Sequence, residues 1–317
     1  MYHLRHISII QLFACLLLTG ILSSCGNNNA PGEKPTAIDI PYPQPYPDST
    51  ALVFLPGIVS ADSLDFNAAF SPDGKSCYFS RSMNKQSKIY VTRYDGTKWT
   101  TPTLISPVEG SYSDADPAFG PDSNLYFISN RPKDPSDTIK DYDIWFSTPL
   151  ANGSWSEPVN LNSVNSDSNE FYVSFTEKGN LYFASSRKGG LGEEDIYVSK
   201  LVNGQYTTPE NPGAAINSSK SEYDPFISAK EDLLIFTSSN RDDSFGGADL
   251  YCSKPGANQQ WQQATHLGKN INTSTRDFCP YYSPDSKYFF FSSDRNVKWI
   301  SAEYVKRQID KFWQPNL

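Results

Sequence analysis

A short sequence pattern recurs five times along this chain and limits the folds that the chain can adopt. Each copy contains a tight turn, a short run of apolar residues, and an arginine a few residues later. In the first copy the turn is Ser71-Pro72-Asp73-Gly74 and the arginine is Arg81. Pro and Asp-Gly favour turns, and a short apolar run between turns favours a β-strand. Each copy therefore predicts the centre of a β-hairpin.

The copies are about fifty residues apart, which is typical of a repeat architecture. Each unit also contains a third and a fourth strand-like segment. The third segments are residues 88–91, 143–146, 195–198, 249–252 and, in the last unit, 299–301. The fourth segments begin near an aromatic residue at one repeat position, which we expect to pack between blades: Trp99, Trp155, Tyr206 and Trp261. The sequence predicts an all-β fold, a single β-propeller of four-stranded blades.

The last unit has no clear fourth strand, and the first residues of the repeat region supply a candidate. Residues 51–60 look like a fourth strand without a unit of their own, because Leu55 precedes Asp65 by ten residues, just as Leu104 precedes Asp114. Pairing this segment with the last blade would close the ring and remove an exposed sheet edge. We therefore predict five blades within residues 51–305, followed by a tail, 306–317. The alternative of six blades would need a unit that the sequence does not contain.

The first 24 residues read as a targeting segment rather than as part of the fold. An apolar run precedes Leu22-Ser23-Ser24-Cys25, which resembles the cleavage box of a bacterial lipoprotein signal. This resemblance implies removal of residues 1–24 and acylation of Cys25; the alternative is an ordinary secretory signal or a short anchor. Residues 25–50 are rich in proline and predict an extended tether. Gly26 replaces the Asp of an inner-membrane retention signal, so we expect an outer membrane lipoprotein, on the periplasmic face rather than the cell surface.

Composition excludes several classes of function. The net charge of −8 gives no electrostatic reason to bind nucleic acid, or a membrane other than through the lipid. Cys77, Cys252 and Cys279 are an odd number without close spacing, so we expect buried free thiols rather than disulfides or a zinc site. We predict no cofactor and a monomer.

The repeated motif resembles the WD-like, TolB-like β-propeller repeat. The strongest similarity is in the third unit, where Arg187 is followed by Lys188-Gly189-Gly190 and then by Asp195-Ile196-Tyr197. The resemblance covers roughly residues 51–305. It implies a propeller similar to periplasmic and envelope proteins that bind other proteins. Lys88 and Lys298 depart from the pattern, because they stand where Asp is expected.

Aligning the hairpins reveals charged residues that recur in every unit. An acid lies five residues before the end of each first strand: Asp65, Asp114, Glu170, Glu222 and Asp277. The arginines are Arg81, Arg131, Arg187, Arg241 and Arg295, and three third strands begin with Asp143, Asp195 and Asp249. Since hairpin strands are antiparallel, all these residues should lie on one face, with the long loops 132–142, 188–194 and 242–248. We favour an ion-pair network that fixes the blades; the alternative is a charged ring that binds a polar ligand.

Little in the sequence indicates catalysis. His266 is the one histidine after the predicted signal, and it lies in no recognisable triad motif, so Ser-His-Asp chemistry is disfavoured. The Ser-x-Asp-x-Gly-x-Thr-Trp boxes of sialidases are missing. We predict a non-catalytic binding protein of the cell envelope that binds a protein, peptide or glycan through its loop-rich face. A propeller glycan hydrolase using two carboxylates is the alternative, and calcium binding by the loop at 242–249 is a third hypothesis.

Overall fold

The computed structural model describes residues 38–61, 63–105 and 110–313. The predicted signal peptide, 1–24, and the predicted acylation site, Cys25, lie outside these ranges. The described residues belong to one compact unit, 37–317. Within the described ranges, no helix is long and apolar enough to cross a membrane.

Five sheets of antiparallel strands form the blades of a β-propeller, as predicted. Blade one contains β2 (Leu64–Phe70), β3 (Ser76–Met83), β4 (Gln86–Arg93) and β5 (Thr103–Leu104). Blade two contains β6 (Asp114–Phe119), β7 (Leu125–Ser129), β8 (Asp143–Ser147) and β9 (Val159–Asn160). Blade three contains β10 (Glu170–Phe175), β11 (Leu181–Ser185) and β12 (Asp195–Ser199). Blade four contains β15 (Ser221–Ile227), β16 (Leu234–Ser239), β17 (Asp249–Ser253) and β18 (Thr265–His266). Blade five contains β19 (Asp277–Tyr282), β20 (Tyr288–Ser293), β21 (Asn296–Ser301) and the N-terminal strand β1 (Leu52–Val53).

The predicted closure of the ring is confirmed. In β1, Leu52 lies opposite Trp299 of β21. Directly after β1, the backbone N–H of Phe54 donates to Val297 O at 2.8 Å. The Phe54 side chain is fully buried between Phe70 of blade one and Phe290 of blade five, with ring centroids 6.0 and 5.0 Å away. The first and last blades are therefore joined by hydrogen bonds and by a shared aromatic core.

The fourth strands begin later than the sequence predicts. Trp99 forms an isolated bridge with Tyr94, and Trp155 and Trp261 form equivalent bridges, so these segments fold back on the third strand before the fourth strand starts. In blade three, a single bridge between Val198 and Glu210 takes the place of a fourth strand. The intervening residues form a small hairpin of β13 (Leu201–Val202) and β14 (Gln205–Tyr206).

The repeated aromatic residues pack between neighbouring blades, as predicted. The ring centroid of Trp155 in blade two lies 6.2 Å from that of Tyr78 in blade one. The ring centroid of Trp261 in blade four lies 6.5 Å from that of Tyr182 in blade three. Apolar clusters of this kind fill the joins between the blades. The joins, rather than one central core, therefore contain most of the buried apolar surface. Cys77, Cys252 and Cys279 are buried free thiols, as expected.

Two segments that the sequence analysis placed outside the propeller pack against it. Residues 38–48, within the predicted tether, run along the turn side of blades one and five. Ile40 is buried there, Tyr42 stacks on Trp299 at 5.6 Å, and Trp99 Nε1 donates to Pro41 O at 2.9 Å. Apolar residues between the prolines supply this contact. The predicted extended tether was based on the proline content and did not include it.

The second segment is the C-terminal tail, which forms α1 (Ala302–Lys311) directly after β21. The Ser301 side chain accepts a hydrogen bond from Tyr304 N and caps the helix. Val305 and Ile309, one turn apart, are buried against blades four and five. The helix begins before the predicted boundary at 305 because its first turn continues directly from the last strand.

Candidate functional site

Four of the five predicted acid–arginine pairs form, each at the end of a hairpin opposite the turn that joins its first two strands. The nitrogen–oxygen distances are 2.6 Å for Arg81–Asp65, 2.7 Å for Arg131–Asp114, 3.0 Å for Arg187–Glu170 and 2.9 Å for Arg241–Glu222. All four carboxylates are fully buried. Lys88, at the position that departs from the repeat, bonds to Asp114 of the next blade at 3.0 Å. These contacts favour the hypothesis of an ion-pair network, since each of the four carboxylates already has a cationic side chain as its partner.

The fifth pair does not form, so the prediction for Arg295 is wrong. Asp294 and Arg295 are the two residues of the turn between β20 and β21, with φ angles of 54° and 65°. Such a turn leaves no loop that could fold the arginine back over the blade. Arg295 is exposed and makes no ion pair with the residues that the structure describes. Asp277 is instead held by Thr273 N at 2.5 Å.

Two of the three third-strand acids, Asp195 and Asp249, bind the loops that precede them. Asp195 accepts hydrogen bonds from Leu191 N and, at 3.0 Å, from Gly192 N. Asp249 accepts from Phe245 N at 2.6 Å and Gly246 N at 3.2 Å. Asp143 accepts from Asn160 Nδ2 at 2.8 Å, and burial raises its pKa to about 6.

These contacts disfavour the calcium hypothesis for the loop at 242–249. Backbone N–H groups of that loop already approach the Asp249 carboxylate, as they do in the equivalent loop of blade three. Within the described part of the chain, no group of three or more His, Cys, Asp and Glu side chains is arranged to hold a metal ion. The loop is better explained as a glycine-rich turn that Asp249 closes.

A second set of residues, which the sequence analysis missed, lies two positions after each repeated acid. These residues are Asn67, Asp116, Tyr172, Asp224 and Cys279. All five have φ between 44° and 54°, and the register of the innermost strand is interrupted beside each one. A β-bulge of this kind redirects a side chain. The repeated bulge turns five buried side chains towards the axis of the ring.

Contacts between blades show that these five side chains meet in the central channel. Asn67 Nδ2 lies 3.4 Å from Asp116 Oδ1, and Cys279 Sγ lies 3.5 Å from Asp224 Oδ2. The Tyr172 hydroxyl of blade three donates to Pro280 O of blade five at 2.7 Å. Because blades three and five are not neighbours, this hydrogen bond spans the channel.

A cavity of about 400 Å³ adjoins this cluster on the loop-rich face. Asp116, Asp224 and Cys279 contribute its buried part. Phe66, Phe171 and Phe278 supply aromatic walls, and the remaining charged lining residues are Glu193, Glu194 and Arg276. A separate, mostly apolar cavity of about 370 Å³ lies on the turn side, with Asn67 and Tyr172 among its lining residues.

Burial and neighbouring negative charges lower the acidity of the carboxyls at this site. Burial, followed by the nearby charge of Asp224, raises the pKa of Asp116 well above its usual range. Burial also raises the pKa of Asp224 to about 6, against hydrogen bonds from Cys279 that lower it. Burial raises the pKa of Glu194 as well. Asp224 therefore changes protonation near pH 6, and the pKa values of Asp116 and Glu194 are shifted in the same direction.

Cys279 lines the channel cavity, and His266 does not. Burial and the charge of Asp224 raise the pKa of the Cys279 thiol, which disfavours the reactive thiolate. His266 lies at the outer edge of blade four, where Asn272 Nδ2 is 3.0 Å from its Nε2 and Phe245 packs on the ring. His266 does not line the cavity, so it cannot act as a base for groups bound there.

Comparison with known proteins does not identify a family. No family model matches the chain, and no curated protein matches it. Among solved structures, TolB from Acinetobacter baumannii is similar with 15% identity and a TM-score of 0.46, over 76% of this chain and 55% of TolB. The chain therefore spans about half the length of TolB.

Two enzymes appear among the other similar structures. A gluconolactonase from Xanthomonas campestris has 9% identity and a TM-score of 0.44, over 79% of this chain and 89% of its own. An α-L-arabinofuranosidase from Podospora anserina has 10% identity and a TM-score of 0.46, over 77% of this chain and 92% of its own. At these scores the fold assignment depends on the strand order of this chain, which is that of a five-bladed β-propeller. A fold of this kind does not by itself specify a function.

Proposed function

We propose that this protein is a non-catalytic, lipid-anchored binding protein of the bacterial cell envelope. It captures a protein, peptide or glycan at its loop-rich face. The observation that supports this proposal is the cavity of about 400 Å³, where aromatic walls surround buried polar groups. Pockets that combine apolar walls with a few convergent polar groups are typical binding sites. The carboxylates of the four intact acid–arginine pairs already have protein partners, whereas the channel cavity presents its polar groups to a ligand.

The envelope part of the proposal depends on the sequence before residue 38. Leu22-Ser23-Ser24-Cys25 is the signal for acylation, and Gly26 favours the outer membrane, periplasmic side. The first described residues lie on the turn side, where the Tyr42 hydroxyl donates to Asp285 of the blade-five turn at 2.8 Å. A tether attached there would hold the turn side towards the membrane. The loop-rich face would then be free to meet a partner.

A crosslinking pull-down from intact envelopes tests this function. Ser221→Trp would fill the cavity, which Ser221 lines, and should abolish capture of the partner. Thr101→Trp, on an exposed connection of blade one, is the matched control and should capture as the wild type does. Capture that survives Ser221→Trp in a folded protein would place binding elsewhere and contradict the proposal.

One observation favours a second candidate, a glycan hydrolase that uses two carboxylates. Asp224 lies close enough to Asp116 to raise its pKa, and paired carboxyls of different acidity serve as acid and base in glycosidases. Release of sugar from a glycan panel by the wild type, lost in both Asp116→Asn and Asp224→Asn, would replace the binding proposal with this one. We expect no release.

A further inference from the structure

The charges around the channel cavity are strongly unequal. Four acids line it, namely Asp116, Asp224, Glu193 and Glu194, against one cation, Arg276. Arg276 is exposed, and it makes no ion pair within 4.0 Å among the described residues. Low-dielectric walls concentrate the field of such groups within a cleft. The cavity therefore attracts positive charge and repels anions.

One of the buried acids has only a single, long hydrogen bond. Asp116 is 6% exposed and lines the cavity. Its Oδ1 receives one long contact from Asn67 Nδ2 at 3.4 Å, and its Oδ2 accepts no hydrogen bond from a described residue. Asp224 differs, because Cys279 N donates to it at 3.1 Å. Ionising a buried carboxyl with so few donors is costly, which agrees with the raised pKa of Asp116. A cationic ligand that brings N–H donors to Asp116 would favour its charged form and supply the missing hydrogen bonds.

The walls suit a cation as well as the acids do. The negative faces of aromatic rings attract ammonium and guanidinium groups. Phe66, Phe171 and Phe278 line the cavity beside the carboxyls. Arg276 already shows this contact, since its guanidinium carbon lies 5.8 Å from the centre of the Phe278 ring. Carboxylates together with aromatic faces are poor partners for a phosphate or carboxylate ligand.

We propose that the channel cavity recognises an alkylammonium or guanidinium group, which pairs with Asp116 and Asp224 between the aromatic walls. The group belongs either to a lysine or arginine side chain of a polypeptide or to a free amine. This proposal rests on the proposed function and specifies the chemistry of the ligand at the same cavity. It assigns Arg276 the role of a competing charge at the rim, where its Nη2 lies 3.3 Å from the Tyr223 hydroxyl.

Protonation should be linked to binding, and the direction follows from the groups around Asp224. These are Asp116, Glu194, Arg276, Tyr172, Tyr223 and Cys279. The folded pKa of Asp224 is about 6, so the carboxyl is neutral below that pH and charged above it. A cation prefers the charged form. Its affinity should therefore rise as the pH increases from 5 to 7.5, whereas an anion would show the opposite trend.

Calorimetric titration of the full chain with small probes tests the chemistry. The probes are N-acetyl-lysine methylamide and N-acetyl-arginine methylamide as peptide side chains, cadaverine and agmatine as free amines, and N-acetyl-glutamate as the anion. We expect the cations to bind and the anion not to bind. Tighter binding of the capped amino acids would identify a polypeptide source, and tighter binding of cadaverine or agmatine a free amine.

Variants with opposite expected signs make the test independent of folding. Asp116→Asn should weaken cation binding about tenfold, the usual scale for losing one charged contact. Arg276→Ala should strengthen it, because a repelling charge is removed from the rim. Glu157→Gln removes one carboxylate from an exposed site before β9 and should change nothing. Weaker cation binding in Arg276→Ala, or binding of N-acetyl-glutamate in place of the cations, would overturn the proposal.

The same probes separate this inference from the proposed function. Added to the envelope pull-down, the cation that binds best should release the captured partner. A partner that is captured in the wild type, lost in Ser221→Trp and not released by any cation would contradict the ligand chemistry while leaving the binding function in place. If no partner is captured and the cations still bind, the envelope function fails and the site chemistry stands.

Discussion

Each paired arginine of the propeller makes an ion pair, at least one further hydrogen bond and a contact with aromatic rings. Arg187 bonds to the buried Glu170, donates to Val164 O at 2.8 Å and donates to Ser185 Oγ at 2.9 Å. Its guanidinium also lies over the rings of Phe183 and Tyr197, at 5.1 and 4.9 Å. A lysine could not reproduce these contacts, because only a planar guanidinium can bond to a carboxylate and stack on aromatic rings at the same time. The arginine therefore joins the strand ends of a blade to the loop before it.

We expect Arg187→Ala to lower the free energy of unfolding by about 3 kcal/mol, since it leaves a buried carboxylate without its cation. Arg295→Ala is the matched control. It occupies the same repeat position but is exposed, so we expect a change within about 0.5 kcal/mol. Urea denaturation measures both values. Binding in the pull-down should persist in Arg187→Ala; unchanged stability with lost capture would show that the arginines form a ligand-binding ring.

At the scale of the elements, the loops of blades three and four pack closely against the backbone of the next blade, and a glycine lies at each contact. A Cβ on Gly192 would lie 1.7 Å from Lys220 O, and one on Gly246 would lie 1.8 Å from Thr275 O. Both clashes are with backbone, which cannot move aside as a side chain can. The two loops therefore need glycine at this position, and their closeness fixes the mouth of the channel cavity that Glu193 and Glu194 line.

Gly192→Ala should destabilise the protein by about 3 kcal/mol, at the upper end of the cost of overpacking. Gly256→Ala is the control, because the nearest atom to its Cβ would be the Asn258 side-chain oxygen at 3.3 Å. We expect that change to cost less than about 1 kcal/mol. Hydrogen exchange should also accelerate in residues 188–194 of Gly192→Ala alone. Equal stability of the two variants would show that the loop does not depend on this contact.

At the scale of the whole molecule, the ring depends on a strand from the beginning of the repeat region. Hydrogen bonds from β1 complete blade five, and Phe54 fills the join between blades five and one. On the turn side, residues 38–48 cover the join between blades one and five, and α1 covers the join between blades four and five. Strand β1 thus closes the seam where an open propeller would expose a sheet edge.

Replacing Phe54 by Ala should reveal how much the seam contributes. The side chain is fully buried, so we expect a loss of about 4 kcal/mol in the free energy of unfolding. Val53→Ala, one residue earlier and 37% exposed, should cost less than about 1 kcal/mol. Thermal and urea unfolding of the two variants supply the comparison. A loss below about 1 kcal/mol for Phe54→Ala would mean that the ring holds without this closure.

The sequence alone determined the fold because turn residues and strand periodicity are local properties. The turn at Ser71-Pro72-Asp73-Gly74 and its four counterparts predicted the hairpins, and Leu55 predicted the closing strand. The acid–arginine pairs were also predictable, since residues equally distant from a turn face each other. Arg295 was mispredicted because the length of a turn, which decides where a side chain points, is not visible in the repeat position.

Only the tertiary structure decided where the candidate site lies. Asp116 and Asp224 are more than a hundred residues apart, and each looks in sequence like one more acid near a strand. A bulge in every inner strand turns these side chains to the axis, where five blades bring them together. Burial then raises their pKa values. Desolvation and repulsion depend on neighbours in space, so the chemistry of the channel follows from closure of the ring, whereas the hairpins follow from the order of the residues.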